Sequence, residues 1–195
     1  LGHDVAHSGH VLAGIGPVRA VAMGLELDIP FTAIQKGLAE YKGVYRRFEL
    51  KAEIGGIAVF DDYAHHPTEI TATLDGFRES TQRRIVVIFQ PHLYSRTRDF
   101  YTDFGKAFFS CDLLILAPIY PAREQPIPGV TSKLIADAAI QSGHHNVVCL
   151  DDNQEIVKTA LELIKPDDIV ITMGAGSIWQ FGEEIIKNLK SEKRD

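Results

Sequence analysis

The chain has 195 residues, the size of one large domain or of a domain with an appendage. Its 45% hydrophobic and 24% charged residues and a mean hydropathy of -0.02 are those of an ordinary globular protein, which excludes disordered, collagen-like and coiled-coil classes. Twenty basic against 26 acidic residues leave a net charge of -6, without the basic footprint that sequence-independent nucleic-acid binding needs.

No apolar run approaches the roughly 18 residues needed to cross a bilayer, and no charged leader precedes an apolar stretch. A membrane is therefore not an expected partner. Cys111 and Cys149 lack metal-ligand spacing and lie in apolar runs that read as buried strands, which fits a reducing cytoplasm. The chain opens on Leu1 and closes on a polar tail, and is expected to be a piece of something longer.

Residues 1–19 carry four glycines, Pro17 and three histidines and show no helical or strand period. Ala20 to Leu27 and Pro30 to Tyr41 read as two helices separated by a short break. From Phe48 the pattern becomes an alternation of β-rich runs and helices, the mark of βαβ units. Phe48 to Ile54 and Ile57 to Asp61 flank Gly55-Gly56 and predict a hairpin. Arg84 to Gln90, Asp112 to Pro118, Asn146 to Asp151 and Asp168 to Gly174 are continuous apolar runs, as in parallel strands covered on both faces.

Five helices are predicted around them. The first opens at Pro67 and shares Ile70, Leu74 and Phe77 on one face. The second starts near Ser95 and is expected to bury Phe100, Phe104, Ala107 and Phe108. The third runs from Ser132 to Gln141, with Gly143 as its stop. Asp152 with Glu155 suggests a capping box for the fourth, whose stripe is Ile156, Ala160 and Ile164. The last opens at Ser177 with Gln180 and carries Ile178, Phe181, Ile185 and Leu189. The fold class is α/β: a Rossmann-like, mostly parallel sheet with an N-terminal β-hairpin and flanking helices. One long loop, Ile119 to Thr131, has the length of a functional loop.

Ligands of open α/β sheets bind outside the carboxyl ends of the strands. Two segments there are dense in polar groups. Asp61-Asp62-Tyr63-Ala64-His65-His66-Pro67 sets two carboxylates, a phenol and two imidazoles before a helix N-terminus; each residue taken singly also fits a turn or a cap. Gln90-Pro91-His92-Leu93-Tyr94-Ser95-Arg96 places Arg96 in a first helical turn, where a cation works against the dipole. It reads either as one half of a carboxylate or phosphate clamp with His92, or as a surface arginine paired with Asp99 or Asp103. Gly174-Ala175-Gly176-Ser177 lacks the third glycine of a dinucleotide fingerprint and reads as a tight turn. No G-x-x-x-x-G-K-[ST] occurs, so a P-loop is missing from the chain, and the histidines have no metal-site spacing.

Tyr45-Arg46-Arg47-Phe48-Glu49, Asp61-Asp62-Tyr63-Ala64-His65-His66-Pro67-Thr68-Glu69, Phe89-Gln90-Pro91-His92 with Tyr94-Ser95-Arg96-Thr97, and Pro126-Ile127-Pro128-Gly129-Val130 together resemble the C-terminal domain of the Mur ligases, over residues 20 to 190. The resemblance implies a three-domain cytoplasmic enzyme in which this domain closes over a central P-loop ATPase domain and brings the amino acid. Its implied partners are ATP with Mg2+, UDP-N-acetylmuramate and L-alanine. By motif, Arg47 would reach the ATP phosphates and Asp62 the ribose, while Tyr63, His65, His92 and Arg96 would form the amino-acid pocket, with Arg96 on the carboxylate.

Leu93 stands where the family commonly has arginine, and Ser177 where many members have aspartate. Residues 1–19 do not match the family. The expected division is an unmatched leader and helical remnant of the ATPase domain at 1–47, and the C-terminal domain at 48–195. A piece of this extent is not expected to ligate alone. The alternatives are a murein-tripeptide recycling ligase of the same family and a stand-alone Rossmann or flavodoxin-like binding module.

Overall fold

The structure, a computed structural model, describes residues 15–41 and 44–192. The chain divides into two compact units, residues 1–45 and 46–195. In the first, α1 (Ile15–Glu26) and α2 (Phe31–Glu40) pack through Gly24, where a Cβ would stand 2.6 Å from Ile34 Cδ1. Helix α1 begins at Ile15, five residues ahead of the predicted start. Pro17 falls in its first turn, where a missing N–H costs nothing, so the glycines and proline that hide the period do not prevent the helix. The rest of the unmatched leader lies outside the described residues.

In the second unit a hairpin, β1 (Glu49–Ile54) and β2 (Ile57–Asp62), leads into α3 (Pro67–Ser80). There follow β3 (Ile85–Phe89), α4 (Tyr94–Ala107), β4 (Leu113–Leu116), α5 (Lys133–Gln141), β5 (Val147–Cys149), α6 (Gln154–Leu163), β6 (Ile169–Met173) and α7 (Trp179–Glu192). The hairpin turns on Gly55 (φ 63) and Gly56 (φ 83), both in the left-handed region that only glycine adopts freely. The six strands lie in the order β1-β2-β6-β3-β4-β5. β1 is antiparallel to β2, and all other pairs are parallel.

Every residue of β2, β3, β4 and β6 is buried, as continuous apolar runs require of strands covered on both faces. On one face Val59, Val86, Ile88, Ile115 and Val170 meet Ile156, Ala160, Ile178 and Ile185 of α6, α7 and the segment before α7. The Phe89 ring lies against Phe104 and Phe108, and Phe60 against Phe77.

Several details depart from the sequence reading. β5, read from a run like those of the covered strands, is a three-residue strand at the sheet edge whose residues are all half-buried. Phe100 is 37% exposed: it lies in the opening turns of α4 and its ring meets the His66 imidazole at 5.3 Å instead of the sheet. The capping box of α6 does not form. Asn153 is the N-cap and its side chain caps nothing, while Asp152 turns locally and accepts from Gln154 N at 2.9 Å. Ile164 falls just past the helix end in an extended conformation. Helix α7 starts at Trp179, with Ser177 contributing its carbonyl to Gln180 N at 3.0 Å.

The late insertion of β6 between β2 and β3 is what builds the site. Asp62 pairs in register with Met173, and Met173 with Phe89. The segments leaving β2, β6 and β3 therefore emerge side by side at the strand order's switch point.

Candidate functional site at the carboxyl ends of β2, β6 and β3

The two carboxylates ending β2 do different work from one another. Asp61 is 2% exposed; its Oδ2 accepts from Arg46 Nε at 2.6 Å and its Oδ1 from the Thr172 hydroxyl at 2.8 Å. The same guanidinium donates from Nη2 to Gly174 O at 2.7 Å and from Nη1 to Gly176 O at 3.4 Å. Arg46 thus ties the glycine turn after β6 to the end of β2. Asp62 is 1% exposed and accepts Phe48 N at 2.9 Å and Ala64 N at 2.8 Å. Burial pushes its carboxyl above the usual range, against the pull of those two N–H donors and the Arg47 charge.

Between these anchors the backbone is strained: Arg46 (φ 55) and Phe48 (φ 47) both occupy the left-handed region. Tyr63 N donates to Arg46 O at 2.7 Å, which pins the strained segment to the loop after β2. Arg47, held between them, has a side chain 44% exposed. Its guanidinium stands 3.6 Å from Glu69 Oε1 and 5.7 Å from the centroid of the Tyr63 ring.

His65 and His66 separate in role. His66 is the N-cap of α3, its Nδ1 accepting from Thr68 N at 3.4 Å, and Glu69 closes a capping box. Glu69 Oε2 accepts from His65 N at 3.0 Å and His66 N at 3.3 Å. Burial raises the Glu69 carboxyl, but the His65 N–H, the His65 and Arg47 charges and the His66 N–H outweigh it and hold the group below its ordinary value. His65 projects instead toward the other rings, 5.2 Å from Tyr63 and 6.1 Å from His92.

Beyond β3 the chain turns at Leu93 (φ 75) into α4. Arg96 Nη1 lies 3.4 Å from His92 Nδ1. An arginine only donates, so His92 accepts there as the neutral Nε2–H tautomer. Burial, then the charges of Arg96 and His65, push the His92 imidazole below its ordinary value, with Glu124 opposing. Asp99, one of the partners open to Arg96 on sequence, is held by Arg98 at 2.7 Å, and among the described residues Arg96 makes no ion pair. Tyr63, His65, His92 and Arg96 thus converge on one face with Arg47 at its edge, while Asp62 lies beneath.

Four contributors were given no role from the sequence. Glu69 was readable as a capping-box partner. Arg46 is bonded to residues 15, 128 and 130 positions away, and no local pattern reveals it. Tyr120 and Glu124, which contact His92 and Ser95, were announced only by the length of their loop. Among the described residues no group of three or more His, Cys, Asp or Glu is arranged for a metal ion, and no helix is long and apolar enough to cross a membrane.

A mostly parallel α/β sheet that gathers arginines and imidazoles at a switch point has the architecture and the charge of a domain that takes an anionic ligand there. Residues 46–176 match the family model described as Mur ligase, glutamate ligase domain, and the chain belongs to the Mur ligase family as a C-terminal domain. It is 46% identical over 180 residues to the UDP-N-acetylmuramate--L-alanine ligase of Geobacter sp. (strain M21), a match covering 92% of this chain and 39% of that protein. Among solved structures it is similar to the UDP-N-acetylmuramate-alanine ligase of Thermotoga maritima, with a TM-score of 0.72 and 26% identity over 88% of this chain and 36% of that one. A murein peptide ligase from Psychrobacter arcticus gives a TM-score of 0.62 and 25% identity over 80% of this chain and 32% of that one. The chain spans about 39% of the length of the curated relatives it matches.

Proposed function

We propose that the chain is the closing domain of an ATP-dependent ligase that joins L-alanine to the carboxylate of UDP-N-acetylmuramate, in the cytoplasm. Residues 1–47 are then an unmatched leader followed by the helical remnant of the central ATPase domain, and 48–195 are the C-terminal domain. The observation that carries this reading is the His92–Arg96 fork, a guanidinium with no carboxylate of its own among the described residues, beside His65 and Tyr63.

In this reading Arg96 takes the carboxylate of the amino acid, with neutral His92 orienting the guanidinium. Tyr63 and His65 wall the pocket. A small zwitterion offers little surface, so its affinity comes from a charge-assisted clamp in a site closed to water, and closure also protects an acyl phosphate from hydrolysis. In this reading ATP transfers its γ-phosphoryl group to the UDP-N-acetylmuramate carboxylate and leaves as ADP; the alanine amine, after giving up a proton, attacks the acyl carbonyl, and the tetrahedral centre collapses to the amide as phosphate leaves. Arg47 fits the ATP phosphates, because its exposed guanidinium is held only loosely by Glu69. Asp62 is the residue the family motif gives to the ribose; buried as it is against Phe48 N and Ala64 N, it would reach a ribose only with a shift of the loop above it. On the same reading Mg2+ would accompany the ATP phosphates on the ATPase half.

The test is the complete ligase carrying this domain, supplied with UDP-N-acetylmuramate, ATP, Mg2+ and L-alanine. ADP release that depends on L-alanine, with amide product, is expected from the complete enzyme and not from the 195-residue chain alone. ADP release indifferent to L-alanine would overturn the proposal.

A further inference from the structure

The loop after β4 converges on the segment that carries His92 and Arg96. Its Tyr120 ring stacks on the His92 ring, with centroids 5.7 Å apart and planes 16° from parallel. The backbone brackets the same residue: Leu93 N donates to Tyr120 O at 3.0 Å, and Tyr120 N donates to Pro91 O at 2.8 Å. Behind the ring lies Gly176, where a Cβ would stand 2.7 Å from Tyr120 Cγ. Tyr120 is therefore held between the glycine turn and His92.

Four residues further on, the Glu124 carboxylate accepts from Ser95 N at 2.9 Å and from the Ser95 hydroxyl. Helix α4 has no cap of its own, because Leu93 occupies the N-cap position without a polar side chain. A carboxylate from another loop supplies the missing acceptor. It also places negative charge at the helix end where Arg96 sets positive charge against the dipole. The turn that delivers it, closed by Glu124 N to Pro121 O at 2.9 Å, holds Ala122 at φ 51. With Leu93 at φ 75, left-handed non-glycine residues stand on both sides of the Glu124–Ser95 contact, a cost that persists only where the surroundings enforce it.

We propose that Tyr120 and Glu124 are positioning residues of the amino-acid site: Tyr120 fixes the plane of the His92 imidazole, and Glu124 fixes the first turn of α4 and with it the direction of the Arg96 guanidinium. Neither touches the substrate. The inference rests on the reading of His92 and Arg96 as the amino-acid clamp, and its effects fall on L-alanine and spare ATP.

The experiment uses the complete ligase and the 195-residue chain in parallel. In the ligase, Glu124→Ala is expected to raise the KM for L-alanine about tenfold, the size of a lost cap, with the KM for ATP unchanged. Glu124→Gln, which keeps an acceptor for Ser95, gives an intermediate value. Tyr120→Leu raises the same KM, whereas Tyr120→Phe, which keeps the stack, restores it. In the chain alone, Glu124→Ala is expected to speed amide hydrogen exchange at residues 94–98 and leave the strands protected. An unchanged KM for L-alanine, or equal rises in both KM values, would overturn the proposal, as would unchanged exchange at 94–98. A wild-type ligase whose ADP release ignores L-alanine would instead remove the functional reading beneath it.

Discussion

Arg46 Nε lies 2.6 Å from Asp61 Oδ2, in a pair whose side chains are only 9% and 3% exposed. Taking two charges out of water is costly, and the geometry offsets that cost by satisfying the remaining groups: Arg46 also donates to Gly174 O and Gly176 O, and Asp61 also accepts from Thr172. Removing one partner leaves the other buried and unpaired. Arg46→Ala is therefore expected to destabilise the chain by about 3–5 kcal/mol, measured by chemical denaturation. Arg46→Lys recovers part of this at most, because a single ammonium cannot serve Asp61 and both carbonyls. A loss below about 1 kcal/mol, the level of an exposed pair, would show that the network is not what holds the β2 and β6 ends together.

Arg96 is the side chain on which the substrate reading turns. Arg96→Ala in the complete ligase is expected to raise the KM for L-alanine by about tenfold or more, the worth of charge-assisted hydrogen bonds, with the KM for ATP steady. Arg96→Lys keeps the charge but loses the fork, and falls between. Steady-state kinetics with each substrate varied in turn decide it, and unchanged alanine kinetics would refute the clamp.

His92 gives a pH dependence of definite sign. Burial, then the Arg96 and His65 charges, hold its folded-state value below the ordinary 6.5, so in the interval between the two values the unfolded chain binds more protons. Its contribution to stability is complete above about 6.5 and is lost as pH falls through the lowered folded value. The His144 imidazole, also lowered chiefly by burial, contributes in the same sense, so the difference between wild type and His92→Gln isolates His92. Urea denaturation across about pH 5 to 8 should show a shallower acid-side loss in the variant. Parallel curves would mean that His92 titrates alike in both states.

The strands were legible because a sheet covered on both faces forces uninterrupted apolar runs, and such runs are local in the sequence. Tyr63, His65, His92 and Arg96, the residues proposed for the amino-acid pocket, cluster in sequence before they cluster in space because they follow directly on strand ends at a switch point. Arg46 and Glu124 act on residues that only the fold brings near, and neither lies in a periodic pattern. Where local chemistry competed, the reading failed. Asp152 satisfies a backbone N–H two residues on instead of entering a capping box, and Phe100 covers an imidazole where the period placed it on the sheet.

Two glycines test the packing with opposite signs. At Gly176 a Cβ would stand 2.6 Å from Gln90 Oε1 and 2.7 Å from Tyr120 Cγ. Neither neighbour yields easily. Gln90 is 3% exposed at the end of β3, and Tyr120 is pressed against His92. Gly176→Ala is thus expected to cost about 1–3 kcal/mol, as overpacking does, and to raise the KM for L-alanine in the complete ligase by displacing the ring that orients His92. At Gly37, inside α2, a Cβ would meet nothing within 4 Å. Gly37→Ala removes only backbone freedom from the unfolded chain and should stabilise by about 0.5–1 kcal/mol. Thermal unfolding of both variants measures the pair. A Gly176→Ala protein as stable as wild type would mean that the Tyr120 ring has room to move, and with it the argument that the glycine turn braces His92 would fall.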